Sequence, residues 1–263
     1  MLKSLKILLT NDDGYASPGI KSLYDAFGSR HKVTIAAPQK EQSGVGHAFT
    51  FNKSIGFCEL PVNMNMPGYM ISGTPSDCVK FAVSHLLPEK PDAVISGINR
   101  GENSGISGYY SGTLAAAREG AFWRIPSFAF SLAGEEDYFA DYARQAIDIF
   151  EKVLSNPPPT GHGGCIYYNV NFPACPSCKS RGIKITRQSL AFFDDRYKRI
   201  EVENLPDEFI IYGEKVEVEQ SDDFDSRALI SGYTTLTPLC LDTTAHWTLP
   251  TLYSMETKRQ TEV

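Results

Sequence analysis

The stretch Leu5-Lys6-Ile7-Leu8-Leu9-Thr10-Asn11-Asp12-Asp13-Gly14 decides the fold. A nearly continuous apolar run that stops at Asn-Asp-Asp-Gly reads as a parallel strand buried on both faces and closed by a turn. Ser17-Pro18-Gly19 then opens a helical stretch to about Phe27, with Pro18 suited to the first helical turn. Lys32 to Ala37 is a second buried strand. The chain therefore opens β-α-β, which predicts a parallel sheet with right-handed crossovers.

The pattern continues along the chain. After a Gly- and Ser-containing loop from Gln39 to His47, the alternation in Ala48 to Ile55 and the segment Tyr69 to Ser72 predict short strands. Thr74 as N-cap and Pro75 at the first helical position start a helix to about Leu87. Pro91 to Ser96 is a buried strand leading into a Gly-rich loop, Gly97 to Gly105. A helix from about Gly112 to Trp123 and a strand from Ser127 to Leu132 complete a doubly wound core by about residue 133. One more helix, roughly Tyr138 to Leu154, ends at the prolines 157–159. Beyond residue 160 come short alternating segments, among them Cys165 to Asn171, Glu208 to Glu219 and Gly232 to Leu241, and from Met255 onward a polar tail expected to fray. The expected architecture is an α/β, Rossmann-like, three-layer α/β/α core over residues 1–160, with a C-terminal β-rich extension or hairpin arm over 161–263.

At 263 residues the chain can bury a large core without disulfides. A net charge of -6 leaves no basic footprint, so a nucleic-acid polymer is not an expected partner. The N-terminal apolar run stops at two aspartates and is neither a signal peptide nor a membrane span of ~20 residues, which points to a cytoplasmic protein without membrane attachment. The six cysteines are expected to be reduced. Cys175-Pro-Ser-Cys178 alone has ligand-like spacing; without a second pair it reads as two loop thiols, with a labile disulfide or an intersubunit metal site as alternatives.

In an open parallel sheet, ligands bind beyond the carboxyl ends of the strands, and three loops predicted there carry unusual residues. Asp12 and Asp13 sit side by side at a buried strand end, where like charges repel unless a cation or a proton intervenes. A hard divalent cation with oxygen ligands satisfies them, although Asp also caps turns and helices. Gln42-Ser43-Gly44 offers a hydroxyl beside glycine, suited to a metal, a phosphate or a plain solvated turn. Asn99 and Asn103 stand among glycines ahead of Tyr110-Ser111-Gly112-Thr113, where a helix N-terminus and hydroxyls form either an anion site or an ordinary cap. Taken together the loops specify a cation beside a phosphate. The reaction they fit is metal-assisted hydrolysis: the cation polarises the phosphoryl oxygens and activates water, Asp12 or Asp13 accepts its proton, and the amides near Ser111 to Thr113 stabilise the developing charge. Asn11, Gly44, Asn103, Ser111, Gly112 and Thr113 are then the candidates to hold substrate and phosphate.

These residues lie in stretches that resemble the stationary-phase survival protein family, the SurE-type 5′-nucleotidases. The matching pieces are ILLTNDDGYASPGI (7–20), AAPQKEQSG (36–44), SGTPSDCV (72–79), PDAVISGINRGENSG (91–105) and YYSGTLAAAREG (109–120), with weaker matches in YYNVNFP (167–173) and GYTTLTPLCLDTTAH (232–246). The resemblance implies that Asp12, Asp13, Ser43 and Asn99 ligate one divalent cation per subunit, Mg2+ or Mn2+. It implies a phosphatase of nucleoside 5′-monophosphates, with 3′-nucleotides or short polyphosphate as further substrates. It also implies a homodimer or homotetramer that exchanges a C-terminal hairpin or arm. Between about residues 175 and 230 no motif aligns.

Two other functions compete. A phosphatase with an aspartyl-phosphate intermediate would place its nucleophile in the same loop, but that chemistry uses two aspartates one residue apart, and these are adjacent. A non-catalytic nucleotide sensor would carry a Gly-x-Gly-x-x-Gly first turn, which is missing here. His246, four residues after Asp242, is either a general acid or a structural partner of that aspartate. His47 reads as an exposed loop histidine, with an approach to the substrate as the alternative, and Tyr109 and Tyr110 suit base stacking or core packing equally.

Overall fold

The strand-end motif sets the frame in the computed structural model, which describes residues 3–159, 165–200 and 208–255. The first half runs β1 (Lys6–Thr10), α1 (Pro18–Gly28), β2 (Lys32–Pro38), β3 (Phe57–Glu59), β4 (Gly68–Ile71), α2 (Pro75–Phe81), β5 (Ala93–Arg100), α3 (Gly112–Phe122), β6 (Ser127–Leu132) and α4 (Phe139–Ser155). The second half adds β7 (Ile166–Phe172), β8 (Ile183–Ile185), β9 (Phe192–Phe193), β10 (Arg196–Ile200), β11 (Glu208–Tyr212), β12 (Lys215–Val216), α5 (Asp225–Ile230), β13 (Thr234–Cys240) and α6 (Leu249–Leu252). The polar tail expected to fray from Met255 onward lies, beyond Met255 itself, outside the described residues.

Nine strands form one sheet in the order β3-β4-β2-β1-β5-β6-β7-β13-β8, and β4, β2, β1, β5, β6 and β7 run parallel. The reading of β1 as buried on both faces is borne out residue by residue. Ile7 and Leu9 join a core beneath α1 and α4 with Ile20, Leu23, Phe27 and Phe150, while Leu8 joins the opposite core with Cys78, Val79 and Ala116 from α2 and α3. Strand periodicity of two sends successive side chains to opposite layers, so a strand covered by helices on both sides must be apolar throughout. The result is the expected three-layer α/β/α, doubly wound fold. Its topological switch lies at β1, with β2 on one side and β5 on the other, which opens a crevice beyond their carboxyl ends.

Helix starts are where local chemistry put them. Ser17 caps α1, accepting from the Ile20 amide, with Pro18 inside the first turn. Thr74 caps α2 in a reciprocal capping box with Asp77. Three expectations need correction. The alternating segment 48–55 forms no strand; its side chains are largely exposed on both faces, and its backbone is tied by side chains from α2 instead of by a neighbouring strand. The core also does not close at residue 133, because β7 adds a parallel strand and β13 and β8 extend the same sheet past it. Gly97 to Arg100, read from sequence as the start of a loop, belongs to β5, whose register against β6 shifts between Ser96 and Asn99. Such a bulge re-aims the side chains that follow it. Outside the main sheet, β10 pairs with β11 and β12 with β9 as short antiparallel ribbons. Among the described residues no helix is long and apolar enough to cross a membrane.

Candidate active site

The turn after β1 is held from inside. Asn11 is fully buried, and its amide nitrogen donates to the Gly14 carbonyl at 2.9 Å and to Ser17 Oγ at 2.8 Å, locking the turn to the cap of α1. Its other side-chain atom, Oδ1, is buried with no partner among the described residues. Asp12 is 4% exposed and is gripped by the first turn of α3, where the Thr113 hydroxyl donates to Oδ1 and the Thr113 amide to Oδ2 at 3.1 Å. That approach requires Gly112: a Cβ there would stand 2.8 Å from Asp12 Cβ and 3.0 Å from Oδ2.

Asp13 is less buried and faces a cleft of about 490 Å3, lined also by Tyr15, Lys40, Glu41, Ser43 and Arg100. Burial, followed by the charge of Asp12, pushes the Asp13 carboxyl up to about 7, against the pull of the Arg100 amide. Burial likewise raises Asp12, opposed by its bonds from Thr113. Arg100 offers little relief: its guanidinium donates to the Glu135 carbonyl at 2.6 Å and lies over the Phe139 ring. Two adjacent carboxylates that burial and mutual repulsion hold toward protonation, beside a buried unpaired amide oxygen, form a donor set that a hard divalent cation fits.

Ser43 lines the same cleft as Asp13 and is exposed, its hydroxyl donating to Glu41 at 2.6 Å. Asn99 is half-buried just past the β5 bulge, and its side-chain nitrogen donates to the Gly101 carbonyl at 2.8 Å, so Oδ1 is the atom that could ligate a cation. Gly44, at φ +69°, is exposed beside Ser43. Among the described residues no group of three or more His, Cys, Asp or Glu could hold a metal ion. A cation at this site would rest on two carboxylates with neutral oxygens and water completing its shell.

On the phosphate side, Ser111 caps α3 and accepts from the Leu114 amide at 3.1 Å. The Thr113 amide is already given to Asp12, so of the amides of Gly112, Thr113 and Leu114 only that of Gly112 has no partner among the described residues. Asn103 faces inward: its backbone amide donates to Asn171 Oδ1 at 2.7 Å, its side-chain nitrogen to Ser131 Oγ at 2.8 Å, and Asn169 donates to its carbonyl at 2.9 Å. The structure thus brings Asp13 and Ser43 to one cleft with Asp12 and Gly112 behind it, and ties Asn103 into the ends of β6 and β7.

His246 pairs with Asp242 at 2.6 Å on the surface. His47 is half-buried and not an exposed loop histidine: it lies 3.0 Å from Glu119 and stacks on Phe122. Tyr109 and Tyr110 are both exposed, not core. Cys175 and Cys178 are free thiols, and the Tyr142 hydroxyl donates to the Cys175 carbonyl. Sequence reasoning missed Arg100 and two buried carboxylates, Asp77 and Glu119. Glu119 carried a signal, being the one acid in the small, apolar helix LAAAREGAF.

The chain matches the family described as Survival protein SurE over residues 7–195. It is 41% identical over 259 residues to a protein of Thermus thermophilus named 5′-nucleotidase SurE 1, covering 94% of this chain and 96% of that one. It is 36% identical over 254 residues to the 5′-nucleotidase SurE of Flavobacterium psychrophilum, covering 94% and 95%. The crystal structure of the SurE protein from Aquifex aeolicus superposes with a TM-score of 0.80 at 36% identity, over 95% of this chain and all of that one. With the same fold and matching sequence along nearly its whole length, the chain belongs to the SurE survival-protein family.

Proposed function

We propose that this protein is a metal-dependent nucleotidase that hydrolyses the phosphomonoester of nucleoside 5′-monophosphates, with 3′-nucleotides and short polyphosphate as further substrates. The observation that carries the reading is the pair Asp12 and Asp13 at the switch point of the sheet, Asp12 bonded by the start of α3 and Asp13 facing the cleft beside Ser43. The names of the Thermus and Flavobacterium relatives supply the substrate class. Asp12, Asp13, Ser43 and Asn99 would hold one Mg2+ or Mn2+, which when bound supplies positive charge to the phosphoryl oxygens and acidifies water.

The chain's own residues do the rest. Asp13, the more accessible carboxylate, accepts the proton of the attacking water. The Gly112 amide, at the positive end of α3, holds a phosphoryl oxygen as charge develops, while Thr113 fixes the Asp12 carboxyl in place. Asn11 holds the turn that aims both aspartates. Six free thiols suit a cytoplasmic setting. Copies are expected to associate as dimers or tetramers through the β10–β11 ribbon, which exposes Tyr197, Phe209, Ile210 and Ile211, and sedimentation equilibrium measures this. The test of the activity is phosphate release from adenosine or guanosine monophosphate with Mn2+ or Mg2+. Activity is expected to vanish on chelation, and equal turnover in excess chelator would sink the metal mechanism.

A further inference from the structure

Ser43 sits on the least supported part of the site, an irregular stretch between β2 and β3, yet a ligand must be held to within fractions of an ångström. Apart from one backbone bond to the Asp12 turn, what holds this stretch comes from outside the site. Asp77, 1% exposed at the start of α2, accepts from the Thr50 amide at 2.9 Å and from the Thr50 hydroxyl at 2.7 Å, and Thr74 donates to the Ala48 carbonyl at 2.7 Å. Nearer Ser43, the Gln42 amide donates to the Asp12 carbonyl and the Gly46 amide to the Tyr110 carbonyl.

Between these anchors stands Glu119, 2% exposed on α3. It takes His47 Nε2 at 3.0 Å on one oxygen, and Lys80 Nζ at 2.9 Å and Trp123 Nε1 at 3.0 Å on the other. Burial pushes the Glu119 carboxyl up, but the bonds from His47, Lys80 and Trp123 outweigh it and hold it below the usual range. An ionised carboxylate only accepts, so His47 donates through Nε2, with its ring stacked on Phe122 at 5.1 Å.

A buried charge of this kind is weak evidence for stability, since apolar replacements of similar volume often do as well. Its value here is positional. Helix α3 grips Asp12 through Thr113 and the Ser43 loop through Glu119, six residues or ~9 Å further along the helix. One rigid element thus acts with the Gln42 bond to the Asp12 carbonyl to set the spacing between the buried carboxylate and the loop hydroxyl.

We propose that Glu119 and His47 are positioning residues that hold the Ser43–Gly44 turn in ligand register with Asp12 and Asp13, a role that rests on the cation site proposed above. Glu119→Gln and His47→Ala are expected to weaken Mn2+ binding about tenfold, read by electron paramagnetic resonance titration, in keeping with the loss seen when groups that support metal ligands are removed. At saturating Mn2+ kcat is expected to recover, and His47→Gln, which keeps a donor nitrogen, to restore affinity. The Gly46 amide is expected to exchange hydrogen faster in Glu119→Gln even without metal. Thr234→Val, which removes a partly buried hydrogen bond to Gln145 in another part of the fold, controls for lost stability and is expected to bind Mn2+ normally. Unchanged Mn2+ affinity and unchanged Gly46 exchange in Glu119→Gln would overturn the proposal, as would an equal loss in Thr234→Val. A wild-type protein that binds Mn2+ but releases no phosphate from nucleotides would sink the nucleotidase reading alone.

Discussion

The two loops that meet at the active site are held in opposite ways. The Asn11–Gly14 turn follows a buried central strand, is bonded within itself and to the cap of α1, and is gripped by α3. The stretch 39–56 is largely exposed and, beyond one backbone bond from Gln42 to Asp12, takes its order from distant groups, Asp77 on α2 and Glu119 on α3. The same chemistry is thus assembled from one part built into the sheet and one part suspended from helices. Damage to the first should strike the reaction itself, whereas damage to the second should loosen a ligand and leave the reaction intact once metal is saturating.

The largest effect is expected at the built-in turn. Asp13→Asn should keep its fold and lose turnover by ~10²–10⁴-fold, the usual contribution of a positioned proton acceptor; near wild-type phosphate release would show the carboxylate to be dispensable. Thr113→Val keeps the shape but removes the hydroxyl from Asp12. It should weaken Mn2+ by ~10–100-fold in a calorimetric titration, and unaltered affinity would mean that Asp12 needs no such support. Next in size is a pH effect. Because Asp13 is raised from 3.8 to about 7, the metal-free folded state keeps a proton that the unfolded chain has lost. The melting temperature without metal should therefore fall as pH rises between those values, and Mn2+ should restore more of it at the upper end. A flat metal-free profile would contradict the buried-carboxylate account. The smallest effect belongs to the suspended loop: Phe51→Ser, at a side chain 71% exposed, should change stability by no more than ~0.5 kcal/mol in urea unfolding. A larger loss would reveal that the loop is itself packed into the core.

Legibility followed the same division. The turn could be read from the chain because each step is local: an apolar run, a break at Asn-Asp-Asp-Gly, then Ser17 and Pro18 starting a helix. For the second loop, alternation over 48–55 mimicked a strand, since apolar periodicity alone does not tell whether a neighbouring strand is there to pair with. Asn103 stood among glycines in a promising loop, yet its polar atoms are drawn into Ser131, Asn169 and Asn171, residues distant along the chain.

By itself the sequence determined the doubly wound order of strands and helices, the helix caps and the edge of the sheet where chemistry belongs. These follow from side-chain periodicity and from residues a few positions apart, and the family stretches follow from order along the chain. Only the tertiary structure decided that Asp12 is gripped while Asp13 faces the cleft, that the Gly112 amide has no partner among the described residues, and that His47 meets Glu119 from 72 residues away. Such contacts depend on how whole elements pack, and desolvation, which raises the aspartates, exists only once that packing has excluded water.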